Sequence, residues 1–300
     1  MRGRWALLAV TLAVAGCVAP TALPDAQSPA LPARATPGVV AAQARPTQLT
    51  RSAPGPPADV EAVSAPDLSS SVLDPIASPS ATPPVLHAWE DGEGLPGVDV
   101  SRYQASVDWK GLVRAGNGFA YVKATEGTRH RSPTHHDQAA AARRAGLLQG
   151  AYHYARPDQS SGTLQARFFN AEGGSWTADG RTLPGALDLE FAESGDPCHG
   201  LSQPEMVAWV RDFSDEYRRL SGRIPVIYTK ADVWDTCTGG DTSFADHPLW
   251  LFDHGEAPGR LPTGWDRPTL WQRGVVDQVD RNVFFGDRAL LVEWASAPLR

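Results

Sequence analysis

The chain has 300 residues, 42% of them hydrophobic, with 27 basic and 34 acidic side chains and a net charge of −7. It is long enough for one sizeable core. No basic run interleaved with aromatics is present, which sets aside nucleic acid as a partner. Beyond Cys17 no segment is long and apolar enough to span a bilayer.

Met1–Cys17 reads as a targeting segment. Arg2 and Arg4 precede the apolar run Trp5–Gly16, which is too short for a membrane span. The run ends Val14-Ala15-Gly16-Cys17, which resembles a bacterial lipobox, so a lipid on Cys17 is expected. Ala13-Val14-Ala15 also fits an ordinary secretory cleavage site. Residues 18–93 hold 14 of the 26 prolines, and Trp89 is their only aromatic. Such a stretch has too little to bury and is expected to act as a disordered tether, spanning on the order of 50 Å as a coil. Setting aside Arg2, Arg4 and the tether's three arginines and eight acids leaves −4 on residues 94–300, the expected globular domain. Of three Cys, lipidation of Cys17 leaves Cys198 and Cys237. In an exported chain that pair is read as a disulfide, stabilising by at most about 4 kcal/mol.

Within the domain, short apolar runs predict strands at Gly97–Val100, Phe119–Lys123, Leu148–Tyr154, Gly185–Phe191, Ile224–Tyr228, Leu249–Phe252, Leu270–Gln272 and Asn282–Phe285. Helical spacing predicts Trp109–Ala115, Pro133–Ala145, Gly162–Asn170 and Pro204–Leu220, with Gly116 and Gly146 at helix stops. Alternation of this kind implies α/β architecture with a parallel sheet and right-handed crossovers. Eight strands would close a barrel, but the last three connections are too short or irregular for full helices. The expectation is an incomplete TIM-like (β/α) barrel with about five crossover helices.

In such barrels the chemistry sits at the C-terminal strand ends. Asp188 and Glu190 are one residue apart in an otherwise apolar run, so on a strand they share a face, roughly 6–7 Å apart. Carboxylates held that close repel, and one keeps its proton near neutral pH. A proton donor beside a charged stabiliser is what breaking a glycosidic bond requires. A lone D-x-E also fits an edge strand with a wet face. Asp99 on the first strand and Asp280 just before the last are expected at the same rim, which argues for the chemical reading.

Eight segments in register carry a resemblance: Gly97-Val98-Asp99-Val100-Ser101-Arg102-Tyr103-Gln104, Tyr121-Val122-Lys123-Ala124-Thr125-Glu126-Gly127-Thr128, Gly150-Ala151-Tyr152-His153-Tyr154, Leu187-Asp188-Leu189-Glu190, Val226-Ile227-Tyr228, Leu249-Trp250, Leu270-Trp271-Gln272 and Val279-Asp280-Arg281-Asn282-Val283-Phe284. Together they resemble glycoside hydrolase family 25, the lysozymes of the Chalaropsis and cellosyl type. The resemblance implies cleavage of the β-1,4 bond between N-acetylmuramic acid and N-acetylglucosamine in peptidoglycan. It implies Glu190 as general acid, with Asp99 and Asp280 shaping the charge. Asp188 would orient the 2-acetamido group or stabilise positive charge at the anomeric carbon. Asp196-Pro197-Cys198-His199-Gly200-Leu201-Ser202 and Thr236-Cys237-Thr238-Gly239 resemble actinobacterial members and support the Cys198–Cys237 bridge.

The chain departs from the family pattern at Arg129-His130-Arg131, at Leu251-Phe252-Asp253-His254 and at Arg273. All three departures are expected near the cleft rim. Tyr154, Tyr228 and Trp271 are expected to offer faces to sugar rings, with Lys123 and Tyr121 as further substrate contacts. Lys123 and Glu126 could equally form an ion pair. His130, His135, His136 and Asp137 lack the spacing of a metal site, so neither metal nor cofactor is expected. The expected partners are peptidoglycan glycan strands and, through the lipid, a membrane. The protein is expected to work as a monomer on the bacterial cell envelope, or secreted if Cys17 carries no lipid. Two alternatives compete: a catalytically silent barrel tethering membrane to peptidoglycan, and a chitinase-like glycosidase. Gly185, Ala186 and Leu187 before Asp188 lack the further acids that the second would carry.

Overall fold

The computed structural model describes residues 94–297; the targeting segment and tether lie outside the described residues. Strands and helices alternate as the periodicity requires. They run β1 (Leu95–Val100), α1 (Trp109–Arg114), β2 (Phe119–Glu126), β3 (His130–Arg131), α2 (His135–Ala145), β4 (Leu148–Tyr154) and α3 (Gly162–Phe169), which continues into a π-helical turn, Asn170–Gly174. Next come β5 (Ala186–Asp188), α4 (Gln203–Ser221), β6 (Val226–Thr229), α5 (Ala231–Thr238), β7 (Leu249–Phe252), β8 (Leu270–Val276), β9 (Val279–Phe284) and α6 (Arg288–Ser296). The longest helix, α4, shows why boundaries were legible. Ser202 and Glu205 form a capping box at its start, and Gly222, at φ 76°, ends it. Met206, Trp209, Val210, Phe213 and Tyr217 face inward at helical spacing.

Strand order is β1-β9-β8-β7-β6-β5-β4-β2, and β2 pairs back to β1, so eight strands close a barrel. The two-residue β3 adds antiparallel to β2. The barrel is mixed rather than all-parallel, because β9 runs antiparallel to both β8 and β1. The reason lies in the turn. Asp277 and Gln278 adopt φ of 51° and 64°, a two-residue hairpin whose length allows no crossover. Two helices went unpredicted, α5 and α6.

Alternation splits the apolar residues into layers. Tyr121, Tyr228, Trp250, Leu270 and Phe284 pack inside the barrel. Leu187, Leu189, Ile227, Leu251 and Trp271 face outward against Trp209, Phe213 and Tyr217 of α4. Leu291, Trp294 and Ala295 of α6 join the interior cluster beside Phe119 and Leu148. Those two residues open β2 and β4, so α6 plugs the end of the barrel opposite the C-terminal strand ends. Trp294 stacks on Phe284 at 5.8 Å, and Arg223 donates to the Trp294 carbonyl at 2.9 Å. Trp294→Ala is expected to destabilise the fold by about 3–5 kcal/mol in urea melts. Activity per folded molecule should stay unchanged, because the plug is remote from the acids.

Candidate active site

The C-terminal ends of β1 and β5 and the start of antiparallel β9 bring four acids to one mouth: Asp99 on β1, Asp188 closing β5, Glu190 two residues beyond it and Asp280 on β9. They line a cavity of about 270 Å³ with Tyr152, Tyr228, Trp250, Phe252, His254 and Gln272. Asp280 sits directly across the ladder from Asp99, and Asp188 is flanked in register by Tyr154 and Tyr228. β5 stops at Asp188 instead of running to Phe191. Its last bond toward β4 is Ala155 N–H to the Asp188 carbonyl, at 2.9 Å, while Leu189 N–H still donates to Tyr228. The extended path therefore persists: Leu189 is buried in the outer layer and Glu190 returns to the cavity.

Burial and mutual charge act on this cluster in the same direction. Asp99 is pushed up to about 7 by burial first and by Asp280 next, against the hydrogen bonds of Asn282 and Gln272. Burial also raises Asp188 well above the usual carboxylate range, with the Glu190 charge adding to it. Glu190 is raised by burial, opposed by its hydrogen bond with Asp188 and by Lys123. Asp280 is raised by burial as well. The Asp188 and Glu190 shifts both favour the protonated form at the pair. One Asp188 oxygen, Oδ1, is buried without a hydrogen-bond partner among the described residues.

Asp99 is gripped at one oxygen. Gln272 Nε2 and Asn282 Nδ2 both donate to Oδ2, at 2.9 and 2.8 Å. Their amide orientations follow from what lies behind them. Trp250 Nε1–H, a donor only, bonds the Asn282 oxygen at 2.8 Å. Tyr228 OH donates to the Gln272 oxygen at 3.0 Å. Gln272 and Asn282 stand in two of the family-like segments, where sequence alone assigns neither a role. The available signal was a polar amide at a barrel-facing strand position.

Lys123 and Glu126 are three residues apart on β2, a spacing that puts side chains on opposite faces of a regular strand. A bulge between Lys123 and Thr125 shifts the register and brings both to one face. They pair at 2.8 Å, and Arg156 bonds the other Glu126 oxygen at 3.3 Å. Lys123 also lies 4.5 Å over the Tyr154 ring. The ion pair is therefore formed, beside the acids whose charge Lys123 tempers.

One expected sugar platform, Trp271, and one expected substrate contact, Tyr121, lie elsewhere than the cavity. Tyr121 and Trp271 are both fully buried and offer no face to a ligand. Tyr121 fills the barrel interior where Gly150 leaves room, since a Cβ there would come within 2.3 Å of its ring. Trp271 points the other way, into the helix layer, and donates to the Asp253 carbonyl at 2.6 Å. Tyr228 lines the cavity; Tyr154 lines an adjoining hollow. Of the departures from the family pattern, Phe252 and His254 reach the cavity. Arg273 stacks over Trp271 at 5.4 Å. Arg129 and His130 line a separate hollow with Glu126. Cys198 and Cys237 form the disulfide.

A mixed α/β barrel with a cluster of buried carboxyls at its mouth is the apparatus of a glycoside hydrolase. The profile of Glycosyl hydrolases family 25 matches residues 98–278. The chain belongs to that family. It is 42% identical to Lysozyme M1 of Streptomyces globisporus over 214 residues, 69% of this chain and 73% of the relative. It is 44% identical to the N,O-diacetylmuramidase of Chalaropsis over 183 residues, 59% of this chain and 87% of that one. The crystal structure of the bacterial lysozyme from Streptomyces coelicolor matches with a TM-score of 0.66 at 42% identity, over 69% of this chain and 99% of that one.

The raised Asp99 has a cost in stability with a definite sign. The folded state binds its proton up to about 7, whereas an ordinary Asp releases it at 3.8. Stability contributed by Asp99 therefore falls as pH rises between those values. Asp99→Asn is expected to raise Tm by several degrees at pH 8. The gain should vanish below pH 4 when melts are compared across that range.

Proposed function

We propose that the chain is a peptidoglycan N-acetylmuramidase, cleaving the β-1,4 bond between N-acetylmuramic acid and N-acetylglucosamine with Glu190 as general acid. The observation that carries this reading is the placement of Asp188 and Glu190 in one cavity with Asp99 and Asp280, both members of the pair raised in proton affinity. Glu190 is the more exposed of the two and lines the cavity, so it delivers the proton to the leaving glycosidic oxygen. Asp188, the more strongly raised of the two, lies beside it and shares the proton. Its unpartnered Oδ1 is an acceptor for the substrate's acetamido N–H or a countercharge at the anomeric carbon. Asp99 and Asp280 hold the surrounding field negative, which favours an oxocarbenium-like centre. Tyr228 and Tyr154 stand in register on either side of Asp188, as walls for adjacent sugar rings. The relatives' names, lysozyme and N,O-diacetylmuramidase, support the same class of bond.

The test uses residues 94–300 on isolated sacculi, with products identified by mass spectrometry. Wild type should release fragments ending in reducing muramic acid, and Glu190→Gln should lose about 10²–10⁴-fold in kcat. Binding without fragments from either protein would instead support a silent wall tether.

The expected anchor belongs to the same proposal. Val14-Ala15-Gly16-Cys17 and the Pro-rich 18–93 support a lipidated, exported enzyme held to the cell envelope by a tether. Expressed full-length in a bacterium fed labelled palmitate, the wild type should carry label and sediment with membranes. Cys17→Ser should do neither.

A further inference from the structure

Glu190 lies two residues beyond β5, where no strand ladder holds its backbone. One side chain does. His199 Nε2 lies 3.0 Å from the Glu190 carbonyl oxygen; a carbonyl only accepts, so Nε2–H is the donor. The other ring nitrogen, Nδ1, faces Asp158 at 3.4 Å, and the imidazole is almost fully buried. Asp158 is itself held by Arg156 through two bonds of 3.2 Å. Arg156 reaches Glu126, and Glu126 takes Lys123. A chain of ion pairs from Lys123 to Asp158 thus runs behind the acid, and the His199 imidazole joins it to the main chain of Glu190.

The loop that presents His199 is tightly built. His199 sits at φ 59°, an uncommon conformation for a residue with a side chain. The Asp196 carboxylate accepts from the N–H groups of Cys198 and Gly200, and its carbonyl accepts from His199 N–H at 3.0 Å. Ala192 N–H, just past the acid, bonds the Pro197 carbonyl at 2.9 Å. The Cys198–Cys237 bridge then ties the loop to α5.

We propose that His199 is a positioning residue for Glu190. The disulfide-anchored loop drives the imidazole onto the Glu190 carbonyl and so aims the carboxyl into the cavity. The proposal rests on the reading of Glu190 as general acid. It extends that reading by giving the disulfide a role in turnover as well as in stability. Misplacing a reacting group by about 1 Å can cost up to about a hundredfold in rate.

The experiment measures kcat and KM on sacculi for wild type, His199→Ala, His199→Gln and Glu190→Gln, well below each variant's Tm. His199→Ala should lower kcat roughly ten- to a hundredfold with KM within about twofold. His199→Gln, whose amide N–H reaches the same carbonyl, should recover most of that loss although its Tm falls like that of the Ala variant. Removing both cysteines (Cys198→Ser with Cys237→Ser) should lower kcat in wild type but add little to His199→Ala, because both changes act on one contact. An unchanged kcat in His199→Ala, equal losses in Ala and Gln, or additive losses with the cysteine changes would overturn the proposal. A loss confined to KM would do so as well. It would make His199 a substrate contact in the hollow of about 340 Å³ that it lines with Tyr154 and Arg156. Wild-type activity in Glu190→Gln would defeat the acid assignment itself, a separate failure.

Discussion

Closure of the barrel by β9 is the constraint on which the rest depends. Without it β1 and β8 would expose two unpaired edges, and the interior cluster would be open along one side. The hairpin turn at Asp277-Gln278 returns the chain antiparallel between them. That return sets Asp280 opposite Asp99 and Asn282 within bonding distance of it. One pairing event therefore completes the core, adds the fourth acid and supplies half of the grip on the first.

The mouth so formed concentrates negative charge where water is scarce. Four carboxyls share it, and burial raises every one. Such an arrangement works against folding, because each ionised carboxylate there is less well solvated than in the unfolded chain. Its persistence is explained by the opposing contacts. Trp250 and Tyr228, held by packing, turn the amides of Asn282 and Gln272 toward Asp99, and Lys123 offsets the pair on the far side. At the opposite end, α6 seals the apolar interior and offsets part of the cost. Stability and chemistry are thus divided between the two ends of one barrel, as in other barrels of this type.

Much of the site was legible in the chain itself. The D-x-E at Asp188 and Glu190, Asp99 near the end of an early strand and Asp280 beside a late one all reach the mouth, because strand alternation is a local property that survives folding. The aromatics were less legible. Tyr121, Tyr228 and Trp271 all sit on strands, yet one fills the interior, one lines the cavity and one faces the helices. Face depends on register with neighbouring strands and on the room left by residues such as Gly150, which no local pattern reports. The bulge on β2 belongs to the same class, since the pairing of Lys123 with Glu126 needs an irregularity visible only in the ladder.

The amino-acid sequence by itself determined the order of the eight barrel strands and the first four helices, the α/β barrel class, the four acids and the cysteine pair. All of these follow from periodicity, residue type and parity, which are properties of neighbours in the chain. Tertiary structure alone decided that β9 runs antiparallel and that Gln272 and Asn282 hold Asp99. It also decided that His199 reaches the main chain of Glu190. Asp99 meets its two amide donors across separations of 173 and 183 residues. Contacts that long are made by closure of the barrel, and closure is a property of the whole sheet rather than of any segment.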